Sequence, residues 1–149
     1  MTLDCLCARK SRNQRNLFTV KVQLLDHTIS EYSLNKKSSG LDCLKKIAQE
    51  VNLKEISYFG LKYCGSGSST GKWLDLNKNL CKEIKSLAIE NLDDVVIHFQ
   101  IRFFATSVEL LTEDTTRYFY YLQLRQNIQD GVLYCSEAQC IVLASYALQ

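Results

Sequence analysis

The 149-residue sequence contains no proline, and it lacks the long apolar run of a membrane-spanning helix. Charged residues interrupt its hydrophobic stretches before they reach the roughly 20 residues that a bilayer requires. Residues 1–16 are basic but have no apolar core of the kind found in signal peptides. Thr2 stands where N-myristoylation requires glycine. These absences together predict a cytoplasmic protein.

Cysteine and histidine occur in numbers and spacings that argue against a disulfide framework or a zinc site. The chain has seven cysteines, an odd number, and no two of them form a CxxC pair. Only His27 and His98 could complete a tetrahedral zinc site. We therefore expect no metal, and we interpret the cysteines as small buried hydrophobic residues.

Motifs for catalysis and cofactor binding are also missing. The segment GSGSSTGK (65–72) resembles a phosphate-binding loop, but Ser66 replaces the first required glycine and Trp73 replaces the hydroxyl residue that would hold magnesium. None of the seven cysteines has an arginine six positions later, which a tyrosine phosphatase loop would need. The sequence therefore predicts no catalytic residue and no cofactor.

The composition that is present is typical of a folded protein, with 46% hydrophobic and 23% charged residues. Alternating apolar residues predict strands, and apolar residues at helical spacing after Ser38 or Ser39 predict a helix through Val51. The predicted order is strand, strand, helix, strand, strand, short helix, strand, over the segments 17–25, 28–34, 38–51, 58–64, 72–76, 79–86 and 95–103. A hairpin followed by a helix over a mixed sheet is the β-grasp arrangement of ubiquitin.

After Phe104 the pattern becomes helical. We expect core packing to bury two of the three tyrosines Tyr118, Tyr120 and Tyr121 and to leave one exposed. Thr106 with Glu109, and Ser136 with Gln139, fit capping boxes at the starts of two helices. The second helix reaches Gln149 without a stop signal, so we expect it to be cut short. The prediction is an α+β chain with a basic flexible arm at 1–16, a ubiquitin-like lobe at 17–104, and the first two helices of an incomplete all-α lobe at 105–149.

Four ordered segments resemble the FERM family: YFGLKY (58–63), KWLDLNKNL (72–80), TRYFYYLQLRQNI (116–128) and VLASYALQ (142–149). The resemblance implies a ubiquitin-like first lobe and part of a second lobe like acyl-CoA-binding protein, with the PH/PTB-like third lobe absent. The segments are similar both to FERM-bearing tyrosine phosphatases and to the ezrin and merlin group. The subfamily stays open.

The resemblance implies a non-enzymatic scaffold or adaptor that links membrane proteins or the membrane surface to the cortical cytoskeleton. Its expected partners are cytoplasmic tails of membrane proteins, cytoskeletal or signalling proteins, and acidic phospholipids. One alternative is the targeting region of a FERM-containing tyrosine phosphatase whose catalytic domain lies outside this chain. Another is an unrelated ubiquitin-like module, bound for instance to a GTPase.

Two lysine groups are candidates for contact with acidic lipid headgroups. One group contains Lys36, Lys37, Lys45, Lys46 and Lys54, and the other contains Lys72, Lys78 and Lys82. The alternative interpretation is a solvated charged surface. The tyrosines do not interleave with a basic stripe, so we expect no nucleic-acid partner. Cys5 and Cys7 beside the basic arm are candidates for palmitoylation.

Overall fold

The computed structural model describes residues 16–65, 71–87 and 95–148. Within these ranges the strands are Leu17–Gln23 (β1), Ile29–Asn35 (β2), Phe59–Tyr63 (β3), Lys72–Trp73 (β4) and Val96–Ile101 (β5). The α-helices are Gly40–Glu50 (α1), Leu80–Leu87 (α2), Asp114–Gln129 (α3) and Glu137–Ala147 (α4), and short 3-10 turns occupy Ile56–Tyr58 and Val108–Leu110. Apart from Asn16, the predicted basic arm lies outside the described residues.

The five strands form one mixed sheet in the order β2-β1-β5-β3-β4. β1 pairs antiparallel with β2 and parallel with β5, while β3 pairs antiparallel with both β4 and β5. The hairpin between β1 and β2 turns at His27, whose φ of 66° lies in the left-handed region. The Asp26 carboxylate accepts hydrogen bonds from the Thr28 amide at 3.0 Å and its hydroxyl at 2.6 Å, which stabilises this turn. The predicted α+β fold and the predicted order of strands and helices along the first lobe are confirmed.

Helix α1 covers one face of the sheet with Cys43, Leu44, Ile47 and Ala48, all of which are buried. Its start is fixed by a capping box, in which the Ser39 hydroxyl accepts from the Asp42 amide and the Asp42 carboxylate accepts from the Ser39 amide. Alternate residues of β1, β2, β3 and β5 lie in the same core, so the sheet has one buried face and one face opposite α1.

Helix α3 packs against the core of the sheet. The Phe119 ring lies edge-on to the stacked rings of Phe59 and Phe99, at centroid distances of 5.9 and 5.8 Å. The Tyr120 hydroxyl donates to the Phe103 carbonyl at 2.9 Å and accepts from the Ala105 amide at 3.1 Å. These contacts join the helical segment to the end of β5.

Two expectations for this helix were wrong. Thr106 and Glu109 form no capping box; instead the Ser107 hydroxyl caps a 3-10 turn, and α3 begins only at Asp114. Burial of Leu111 and the contacts made by residues 112 and 113 keep the intervening segment extended. Core packing was expected to bury two of Tyr118, Tyr120 and Tyr121, but it buries Tyr120 alone, because Phe119 and Tyr120 occupy the face that meets the first lobe.

Helix α4 begins as the sequence predicts. Ser136 and Gln139 form the expected capping box, and Gly131 ends the preceding helical segment with a φ of 69°. None of the residues in α4 is buried, although Ile141, Val142 and Leu143 are large and apolar. A helix that is apolar on several sides is typical of a protein interior.

Candidate functional site

The side chains that could bind a metal do not cluster in the described part of the chain. In the parts of the chain that the structure describes, no three His, Cys, Asp or Glu side chains lie close enough together to hold a metal ion. His98 is half-buried on β5, and burial, followed by the positive charge of Lys62, lowers the pKa of its imidazole. Residues 66–70 of the glycine- and serine-rich segment lie outside the described residues.

Some of the lysines that are predicted to contact lipid lie together in the structure, and the others lie apart from them. Those that lie together are at a junction where the turn after β2 meets the start of α2. Asn79 joins the two segments, because its side-chain amide donates to the Lys36 carbonyl at 2.8 Å and its side-chain oxygen accepts from the Lys82 amide at 2.9 Å. We call the residues Lys36, Lys37, Lys78 and Lys82 around Asn79 the basic junction.

Backbone hydrogen bonds hold the basic junction together. The Leu80 amide donates to the Ser38 carbonyl at 3.0 Å, and the Gly40 amide donates to the Lys78 carbonyl at 3.1 Å. The Lys37 amide donates to the Asn35 side chain at 2.9 Å. Lysines from both sequence groups therefore meet at one end of the first lobe.

Acidic side chains balance part of this charge. Lys78 pairs with Asp75 at 3.3 Å, and both side chains are exposed. The pKa of Asp75 is lowered, first by a hydrogen bond from the Asn77 amide and then by Lys78. Lys36, Lys37 and Lys82 therefore supply the charge at the junction that Asp75 leaves unbalanced.

The remaining candidates lie elsewhere. The Lys46 ammonium donates to the Ser33 carbonyl at 2.8 Å and so covers the outer edge of β2. Lys45 borders an open groove of about 410 Å³ together with Gln49 and Lys54. Lys72 begins β4 at the opposite edge of the sheet. The structure brings none of these three to the basic junction.

Sequence reasoning missed a second basic surface on the face of the sheet opposite α1. The Trp73 ring lies between two cations, with Lys62 Nζ at 5.8 Å and the Arg102 guanidinium at 5.9 Å from its centroid. Gly60 makes this possible, because a Cβ there would stand 3.1 Å from the Trp73 ring. The available signal was strand alternation, which places Gly60 and Lys62 on one face.

Polar contacts fasten the helical segment to the first lobe. The Glu55 carboxylate accepts from the Thr112 hydroxyl at 2.9 Å and its amide at 3.3 Å, and Lys54 pairs with Glu113 at 3.2 Å. The pKa of Glu55 is lowered, most by the adjacent Thr116 hydroxyl and then by Thr112. The buried Thr116 hydroxyl makes no hydrogen bond to any described residue, so it acts on Glu55 as a nearby dipole.

No described helix is both long enough and apolar enough to cross a membrane.

Comparisons with known proteins identify the domains. The profile of the FERM N-terminal domain matches residues 22–86, and that of the FERM central domain matches residues 106–149. Tyrosine-protein phosphatase non-receptor type 14 from Mus musculus is 37% identical over 135 residues, which cover 91% of this chain and 11% of the phosphatase. Protein 4.1 from Canis lupus familiaris is 38% identical over 138 residues, which cover 93% of this chain and 16% of that protein.

A solved structure with the same fold is the complex of the FERM and C-terminal domains of Drosophila Merlin. It superposes with a TM-score of 0.73 at 28% identity, covering 87% of this chain and 42% of the Merlin chain. The chain thus spans less than a fifth of the first curated relatives and less than half of the Merlin chain. The matched segments are of a non-catalytic domain type, and the catalytic domain of the phosphatase relatives lies outside them. The chain belongs to the FERM family, with a match to its N-terminal domain followed by a match to its central domain.

Proposed function

We propose that this chain is a non-enzymatic FERM scaffold fragment that works at the cytoplasmic face of the plasma membrane. It links membrane proteins or the membrane surface to the cortical cytoskeleton. Its protein partners are cytoplasmic tails of membrane proteins and cytoskeletal or signalling proteins, as the family resemblance implies. We also propose the division into an N-terminal arm, a ubiquitin-like lobe at 17–104 and an incomplete helical lobe at 105–149.

The basic junction is the observation that supports membrane contact. Asn79 holds the segment carrying Lys36 against the helix carrying Lys82, so their charges do not depend on a flexible loop for their proximity. Each basic residue near an anionic membrane contributes about 1 kcal/mol. Two such residues therefore contribute about 2 kcal/mol, which is an affinity factor of about 30.

The test is sedimentation of the chain with vesicles containing phosphatidylserine, at low and at moderate salt. We expect the variant Lys36→Gln with Lys82→Gln to bind about 30-fold more weakly than the unsubstituted chain. Salt should weaken the binding of the unsubstituted chain, since the Debye length is about 10 Å at 0.1 M.

The matched control is Arg117→Gln with Arg125→Gln on α3. Both double variants lower the formal net charge from +2 to zero, so they compare the same loss of charge at two places on the chain. The control also removes the ion pair of Arg117 with Asp114 at 3.3 Å. Equal loss of binding in the two variants would show that net charge alone attracts the chain and would reject the basic junction. Binding that resists high salt would also contradict the proposal.

One observation supports the phosphatase alternative, namely the 37% identity to tyrosine-protein phosphatase non-receptor type 14. The identity to Protein 4.1 is 38%, so sequence similarity does not separate the two classes. Sequencing the full transcript distinguishes them. A downstream segment with cysteine and arginine six positions apart would support the phosphatase, and its absence would support the scaffold.

A further inference from the structure

The start of α4 places two cysteines side by side. In the notation of helix ends, Ser136 is the N-cap, Cys135 is the residue before it, and Cys140 is the fourth helical residue. Side chains at these two positions characteristically meet across the first turn, in the contact called the hydrophobic staple. In this chain both positions of the staple are thiols.

The capping box holds this geometry in place. The Ser136 amide donates to the Gln139 side-chain oxygen at 3.0 Å, and the Gln139 amide donates to the Ser136 hydroxyl at 3.4 Å. The Cys140 thiol approaches the Cys135 carbonyl, with 3.9 Å between sulfur and oxygen. The neighbouring Cys140 thiol raises the pKa of Cys135.

Accessibility distinguishes this pair from the other described cysteines. Cys135 and Cys140 are both partly exposed, whereas Cys43 and Cys81 are buried. Burial raises the pKa of the Cys43 thiol to about 12, which keeps it protonated and unreactive. Cys64 is partly exposed and serves as an internal comparison.

We propose that Cys135 and Cys140 form a reversible disulfide site that closes the first turn of α4. With oxidised glutathione as the oxidant, one thiolate attacks a glutathione sulfur, releases one glutathione thiolate and becomes a mixed disulfide. The second cysteine thiolate then attacks the protein sulfur of that mixed disulfide and releases the second glutathione. The protein loses two protons and two electrons, and one oxidised glutathione becomes two reduced molecules.

The disulfide would lie at an apolar groove of about 500 Å³ between the end of α3 and α4. Cys135 lines this groove together with Ile128, Leu133, Ala138 and Val142. Oxidation would link the loop before α4, which lines the groove through Leu133 and Cys135, to the first turn of that helix.

The test is oxidation of the full chain in glutathione buffers of increasing oxidised fraction, followed by blocking of free thiols with N-ethylmaleimide. Trypsin releases residues 126–149, a peptide that contains Cys135 and Cys140 and no other cysteine. A second cleavage after Glu137 separates the two cysteines. We expect the two halves to stay joined until reductant is added, and we expect Cys64 to remain free at the same buffer composition.

Two variants complete the test. In Cys135→Ser, Cys140 should end as a glutathione adduct, because no second thiol can displace the glutathione. In the unsubstituted chain, amides of the first turn of α4 should exchange at least about tenfold more slowly after oxidation, since the closed loop has less conformational freedom. Separate glutathione adducts on Cys135 and Cys140, or equal oxidation of Cys64, would overturn the proposal.

Discussion

The Glu55 carboxylate accepts a hydrogen bond from the Thr112 hydroxyl at 2.9 Å, although the two residues lie 57 positions apart. It also accepts from the Glu113 amide at 3.4 Å, at the residue that caps α3. The side chain of the N-cap residue Glu113 makes no capping hydrogen bond, and the Glu55 carboxylate from the segment before β3 accepts from the Glu113 amide instead. This contact connects the FERM N-terminal domain to the central domain.

We predict that Glu55→Gln destabilises the chain at neutral pH and that this difference disappears in acid. The folded-state pKa of Glu55 lies below its ordinary value of 4.5, so its stabilising effect is present above pH 4.5 and is lost as pH falls through the lowered value. Urea unfolding at pH 7 and near pH 3 measures this. Glu31→Gln, on the exposed edge strand β2, is the control, and an equal effect of both substitutions at pH 7 would contradict the prediction.

Removal of the Phe119 ring should destabilise the chain by about 3 kcal/mol. The ring fills the space beside Phe59 and Phe99, and its loss would leave a cavity between α3 and the sheet. Phe119→Ala is compared with Tyr118→Ala, because Tyr118 is the adjacent residue and is 55% exposed. A loss below about 0.5 kcal/mol in Phe119→Ala would show that α3 does not depend on this contact.

Ser39→Ala should cost about 1 kcal/mol, because the hydroxyl that accepts from the Asp42 amide is lost. Ser38→Ala is the natural control, since Ser38 stands one residue earlier and the capping box does not include its side chain. Thermal or urea unfolding of both variants provides the comparison. If the Ser38 substitution were the more damaging one, the assignment of the N-cap would be wrong.

Gly60→Ala should displace the Trp73 ring. The added Cβ would stand 3.1 Å from the ring and 3.2 Å from Arg102 Cβ, and such overpacking typically costs about 1–3 kcal/mol. Trp73 is the single tryptophan of the sequence, so its fluorescence reports the change directly. At Gly65 an added Cβ meets nothing nearer than 3.6 Å, so Gly65→Ala should leave the emission spectrum unchanged.

Patterns confined to a few neighbouring residues predicted much of this structure. Alternation over residues 95–103 predicted β5, because each strand buries every second side chain. Ser136 and Gln139 predicted the start of α4, because a capping box is completed within four residues. The resemblance in four ordered segments predicted the FERM family, which the two domain profiles confirm.

The same local reasoning was wrong at Thr106 and Glu109. Their spacing fits a capping box, but burial of Leu111 and the acceptor oxygens of Glu55 move the start of α3 to Asp114. The energy that decides this boundary comes from distant residues. A motif of neighbouring residues carries no information about those distant contacts.

The sequence by itself determined the order of the elements and the family, and it showed no recognisable catalytic motif. All three conclusions depend on the spacing of residues that lie close together in the chain. Only the tertiary structure decided which side chains meet across long separations. Asn79 joins the carbonyl of Lys36, 43 positions away, to the helix of Lys82. Trp73 lies between Lys62 and Arg102 because three strands pair in one register. Strand pairing and helix docking determine these contacts, because they set which distant residues become neighbours.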